Sequence, residues 1–167
     1  MKISKNSLLI LLLTIFLGAC VEQVPYSNYQ FIKGAKWTPT DTITFDFDSL
    51  EVDPALRYDA QLSVIHSRRY PYQNLSLVVA HNLQDTVMVT DTLHLTLGNE
   101  HGKWLGAGTA GLIQYDIDWL PHLQMDSTRS YRVEVRHMMR DNPLRGVERI
   151  GVTIDKSGQK KGYSLWK

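Results

Sequence analysis

The sequence predicts an all-β fold, an antiparallel β-sandwich of about seven to nine strands, with little or no helix outside a short leader. Three observations predict it. Apolar residues recur at every second position in several separate stretches, which is the period of a strand with one buried face. Prolines 54, 71, 121 and 143 fall between those stretches, where they harm a hydrogen-bond ladder least. No window carries an i, i+3, i+4, i+7 stripe over three turns. A closed barrel is the second architecture this pattern fits, and strand order is not legible in it.

The stretches follow in order. In "TITFDFDSL", Ile43, Phe45 and Phe47 share a face opposite Thr44, Asp46 and Asp48. In "YDAQLSVIH", Tyr58, Ala60, Leu62 and Val64 alternate with polar residues. "LSLVVAH" and "VERIGVTI" are richer in apolar residues and read as two further strands. "DTLHLTL" places Leu93, Leu95 and Leu97 on one side. "YDIDW" does so with Tyr115, Ile117 and Trp119, and "YRVEVRH" with Tyr131, Val133 and Val135. "WLPHLQM" is the one stretch suited to a helical turn.

The N-terminus carries a different signal. Lys2 and Lys5 precede an apolar run over residues 8–17, interrupted only by Thr14. About ten residues make roughly 15 Å of helix, whereas a bilayer core needs ~20 residues. The run therefore reads as the h-region of a signal peptide. It ends in "LGAC", which resembles the lipobox of bacterial lipoproteins, rather than in an ordinary secretory cleavage site with an incidental cysteine. That resemblance implies that Cys20, the sole cysteine, is acylated and begins the mature chain. A single acyl chain holds a membrane only marginally, while two or three hold it firmly.

Four segments follow: a signal peptide over 1–19, a lipidated N-terminus and tether over 20–36, the sandwich over 37–155, and a polar tail over 156–167. With the leader removed, 16 basic side chains face 17 acidic ones. That balance lacks the basic footprint of a nucleic-acid binder. No cysteine remains for disulfides. A domain of this size buries ~68–70% of its unfolded surface and can fold on such a core.

Chemical motifs are few. "GAGTAG" matches G-x-G-x-x-G at Gly106, Gly108 and Gly111, but no helix opens on it, so it reads as a bend with close backbone approach. The histidines show no H-x-H or H-E-x-x-H spacing, and no metal site or other cofactor is expected. His94, on a polar strand face, is placed to meet a carboxylate across it. No G-x-S-x-G elbow occurs. The pairs Asp46/Asp48 and Asp116/Asp118 share strand faces and read as solvated positions, so no catalytic residue is assigned and the chain is read as a non-enzyme.

"SRRYPYQNL" sets Arg68, Arg69, Tyr70 and Tyr72 around Pro71. Arginine and tyrosine on a rigid turn suit a protein contact, and Tyr70-Pro71 is a candidate cis bond. Together with Trp104 in "GKWLGAG", these residues form the candidate contact set. Arg136, Arg140, Arg145 and Arg149 make a second basic stretch. The triplets "DTI", "DSL", "DTV" and "DTL" resemble an O-glycosylation acceptor of exported Bacteroidota proteins, which implies Thr42, Ser49, Thr86 and Thr92 as modification sites.

Taken in order, "LGAC", "RRYPYQNL", "DTLHLTL", "GKWLGAG" and "YRVEVRHMMRDNPLRGVERIGV" resemble the GldH family of gliding-motility lipoproteins of Bacteroidota. The resemblance implies an envelope lipoprotein that supports gliding or the associated type IX secretion machinery through protein contacts, with no catalytic residues. It implies membrane attachment through acyl chains on Cys20. "VEQV", after Cys20, lacks an acidic export cluster and favours the periplasmic face of the outer membrane over the surface. Two other readings compete. A glycan-binding module would use Trp104, Trp119 or tyrosines as exposed platforms. A hydrolase would need two carboxyl groups converging in a cleft.

Overall fold

The computed structural model describes residues 26–48 and 50–158. Its eleven strands, all paired antiparallel, build a β-sandwich. One sheet holds five strands in the order β1 (Tyr26–Phe31), β11 (Val147–Lys156), β4 (Tyr58–Ser67), β8 (Leu112–Leu123) and β7 (Ala107–Thr109). The facing sheet holds β3 (Ile43–Phe47), β9 (Tyr131–His137), β5 (Asn74–His81) and β6 (Val89–Thr96). A two-stranded ribbon of β2 (Lys36–Trp37) and β10 (Leu144–Arg145) closes one end. Among the described residues the only helical element is a 3-10 turn, Lys33–Ala35.

The alternation decides which side chains meet between the sheets. Phe45, Phe47, Tyr131, Val133, Val135, Leu75, Leu77 and Val79 come from one sheet. Tyr58, Ala60, Leu62, Val64, Ile150, Val152 and Ile154 come from the other. All are buried. Trp37 and Leu144 of the ribbon are also fully covered, so the ribbon plugs the core at its end. No covalent cross-link contributes, and packing carries the stability; truncating one buried leucine costs about 2–5 kcal/mol.

Three expectations are corrected. The tether expected over 20–36 is shorter, because Tyr26–Phe31 is already an edge strand paired to β11 from Tyr26↔Ile154 to Phe31↔Arg149. "WLPHLQM" makes no helical turn; most of it is the end of β8, which pairs irregularly with β4 between Tyr58 and Gln61. Pro121 thus lies inside a strand, at the distortion that tolerates it, beside His122 at φ 57°. The cis bond is Asn142-Pro143, not Tyr70-Pro71.

Candidate contact site at one end of the sandwich

The turn after β4 is held tightly. Ser67 N–H donates to the Gly146 carbonyl at 2.8 Å, and Arg68 N–H to the Gly111 carbonyl at 2.9 Å. Tyr70 N–H closes the turn on the Ser67 carbonyl at 3.0 Å. Gly146 sits at φ 91° with the Tyr70 Cα only 3.0 Å from where a Cβ would stand, so the approach of the two loops requires glycine.

This turn divides the expected contact set. Tyr70 is 3% exposed and belongs to the core, so it offers no surface to a partner. Its hydroxyl donates to the Asn74 carbonyl at 3.0 Å, and burial pushes the phenol well above its ordinary pKa. Tyr72 is half-buried; its hydroxyl donates to Asp141 Oδ1 at 2.8 Å, and that hydrogen bond raises its pKa. Arg68 and Arg69 are exposed. Trp104 is half-buried, its ring edge-on to His66 with centroids 4.6 Å apart and tilted to Tyr70 at 6.5 Å.

The loop after β6 reaches the same place. Asn99 Oδ1 accepts from the backbone N–H groups of His101 and Lys103 at 3.0 and 2.9 Å, which shapes the loop. Leu105 N–H donates back to the Leu97 carbonyl at 2.9 Å. A Cβ on Gly106 or Gly108 would come within 2.1 Å of the Gln114 or Leu112 carbonyl oxygen, so the "GAG" stretch lies against the β8 backbone. Arg68, Lys103, Trp104, Gly106, Gly108 and Ile113 line one open groove of about 340 Å³. The two expected segments, 68–72 and 102–108, thus meet. Leu105, half exposed on this loop, lies within the expected 102–108 segment.

Other expected residues lie elsewhere. Thr42 is exposed just before β3, Thr86 in the β5–β6 loop, and Thr92 on the outward face of β6. Cys20 and Ser49 lie outside the described residues. His94 meets Ser76 Oγ at 3.0 Å rather than a carboxylate. Asp46 accepts from Arg132 Nε at 2.6 Å, and Asp116 from Ser63 Oγ at 2.6 Å. Arg149 lies over Phe31, its guanidinium 4.1 Å from the ring centroid.

Three histidines are structural. His81 is fully buried, with Nε2 3.2 Å from Asp91 Oδ2 and Nδ1 accepting from Leu83 N–H at 3.3 Å. Trp119 packs edge-on against it and donates its indole N–H to the same Asp91 oxygen at 3.0 Å. His137 repeats the pattern, with Nε2 on the Trp37 carbonyl and Nδ1 accepting from Met139 N–H. His66 meets the Ser67 carbonyl through Nδ1. Burial lowers the pKa of all three.

Trp104 and Trp119 are each half-buried with one edge-on histidine neighbour, His66 and His81 respectively. Asp59 and Asp118 share a cleft of only about 110 Å³, below the range of small-molecule sites. Asp59 is already used there, accepting from His122 N–H and the Ser157 hydroxyl. Among the described residues no group of three or more His, Cys, Asp or Glu is arranged to hold a metal ion.

Comparison with known proteins identifies the lineage. The family model described as GldH lipoprotein matches residues 24–154, most of the chain. The chain belongs to the GldH lipoprotein family. A curated relative, the gliding motility lipoprotein GldH of Flavobacterium johnsoniae, is 26% identical over 151 residues. The alignment covers 89% of this chain and 92% of the relative. The GldH match spans both segments of the groove. Among solved structures, the Tobacco streak virus coat protein aligns at TM-score 0.28 and 11% identity, over 88% of this chain and 98% of its own. Infectious bursal disease virus Gx strain aligns at 0.29 and 15%, over 84% and 36%. Likeness at that level carries no argument.

Proposed function

We propose that this chain is a lipid-anchored envelope protein that supports gliding motility, and the secretion machinery associated with it, through protein–protein contacts rather than catalysis. The observation that carries this reading is the family match across the domain, together with a relative named for gliding motility. Acyl chains on Cys20 anchor the domain, most simply on the periplasmic face of the outer membrane. Arg68, Arg69, Tyr72 and Trp104, gathered at one end, are the contact residues; buried Tyr70 supports them.

The test is complementation of a deletion strain. The wild-type gene should restore colony spreading. Cys20→Ala should leave the protein unanchored and spreading unrestored. Arg69→Ala combined with Tyr72→Ala should accumulate, remain folded and fail to restore spreading. Full spreading by the Cys20 variant would overturn the anchorage, and full spreading by the folded double variant would overturn the contact set. Thr42, Thr86 and Thr92 are proposed as glycosylated; an intact mass showing lipid without hexose would reject that.

A further inference from the structure

The antiparallel register gives the sandwich two ends. The chain enters β1 at Tyr26, opposite Ile154, and the same pair of strands ends at Phe31, opposite Arg149. Segment 50–57 and loops 82–88 and 124–130 cluster at the end where the chain enters. Loops 32–42, 67–73, 97–106 and 138–146 cluster at the far end.

Among the described residues the charges sort with the ends. Asp48, Glu51, Asp53, Asp85 and Asp126 are exposed at the entrance end, against Arg57 and Arg129. Lys33, Lys36, Arg68, Arg69, Lys103 and Arg145 are exposed at the far end, against Asp41, Glu100 and Asp141. Asp141 is occupied by Tyr72. Within the described residues neither Arg68 nor Lys103 has a carboxylate within ion-pair distance. The same end carries Phe31, Leu105 and Met138, which are 71%, 50% and 55% exposed.

We propose that this basic end, centred on the groove between Arg68 and Lys103, docks an acidic protein surface carrying apolar residues. The inference rests on the contact reading above and specifies its partner. Two arguments select a protein. First, this end cannot be turned to face the bilayer to which the proposed anchor ties the chain. Cys20 is six residues from Tyr26, a leash of at most ~20 Å, whereas the ten residues of β4 span roughly 33 Å. The leash is too short to turn the molecule over, so the loops of the far end cannot be presented face-on to the headgroups. Second, arginine together with exposed Met and aromatic side chains is a composition enriched at protein interfaces. A polyanionic glycan has no use for Leu105 or Met138.

The experiment is photo-crosslinking in living cells with the full-length lipidated protein. A photoreactive amino acid is placed at position 105, or at position 87 on the entrance end. The position-105 probe should capture an envelope protein through a segment rich in Asp and Glu. Arg68→Glu with Lys103→Glu should lower that yield at least about tenfold, and an acid-to-lysine change in the captured segment should restore it. Thermal melting checks that the variant is folded; if it is not, added salt on isolated membranes should lower the wild-type yield instead. Capture insensitive to charge reversal and to salt would overturn the inference. Capture from position 87 alone would overturn it while leaving the protein-contact reading intact. A glycan adduct, or no adduct from either position, would overturn both.

Discussion

The ring of Tyr29 on β1 fills the space above Gly151, its register partner on β11: a Cβ on Gly151 would stand 2.4 Å from Tyr29 Cε1. From there the Tyr29 hydroxyl comes within 3.5 Å of both Ser63 Oγ and Gln114 Nε2. Those two groups donate to Asp116 Oδ1 at 2.6 and 2.9 Å. One edge-strand side chain therefore roofs the outward face of the strands beside it. This explains why Ser63 and Gly151 are buried although they point away from the core.

Gly151→Ala should push the Tyr29 ring off this face and destabilise the domain by about 1–3 kcal/mol, as overpacking does. Tyr29→Ala should remove the clash but expose the polar cluster. The two changes share one space, so their combined cost in urea denaturation should be smaller than the sum of the single costs. Strict additivity would show that the ring and the glycine are energetically independent.

Stability should fall in mild acid. Burial holds the imidazoles of His66, His81 and His137 below their ordinary pKa. The unfolded chain takes up protons near pH ~6.5 that the folded chain resists, so stability is complete above that value and declines as pH drops beneath it. For His81 and His137 the geometry agrees, because Nδ1 accepts a backbone N–H and a second proton would displace that donor. Asp126, held below the usual carboxylate range by the Thr128 N–H, acts only at lower pH. Melting temperatures measured stepwise from neutral to pH ~4.5 should be flat, then drop. A rise below pH ~6.5 would mean that the histidines gain rather than lose on folding.

Asp91 serves two donors, His81 and Trp119. Asp91→Ala should strand both and cost about 1–3 kcal/mol. The Trp119 fluorescence should change with it, since its indole N–H loses its acceptor. An unaltered spectrum and an unaltered midpoint would show that water replaces the carboxylate without penalty.

Gly108→Ala should detach β7 without unfolding the sandwich. The added methyl would meet the Leu112 carbonyl at 2.1 Å, backbone against backbone, and a three-residue strand has few bonds to resist it. Hydrogen exchange should quicken over 102–112 while β4 and β11 stay protected. Uniform loss of protection would instead make β7 part of the cooperative core.

The strands with a half-buried face were legible because their neighbours differ in polarity: Phe45 and Phe47 against Asp46, Val133 and Val135 against Glu134. Strand β1 was not. "YSNYQF" buries no residue fully; Tyr26 packs on Phe47 of the core while Tyr29 covers a neighbour, and the rest is polar apart from exposed Phe31, so it has no alternation to read. Strand order was equally hidden, because period two records faces and not neighbours. In the candidate site, the arginines and Trp104 were visible as residue types crowded near a proline and glycines. The burial of Tyr70 was not, since a tyrosine that supports a turn and one that tops it have the same local sequence. His66, His81 and His137 sit at or near strand ends, where polarity suggests solvent; only the packed partner across the sandwich reveals otherwise.

The pairing of β1 with β11 also sets how the domain bears mechanical load. Tension arriving through the N-terminus at Tyr26 and resisted at the basic end runs parallel to β1. The ladder bonds lie perpendicular to that pull. All six register pairs, from Tyr26↔Ile154 to Phe31↔Arg149, are then loaded together in shear and cannot be peeled one at a time. A leash tied to the other end of the same strand would unzip it. With the anchor and partner proposed above, the direction in which the chain enters its first strand would make the domain a stiff coupling between the two.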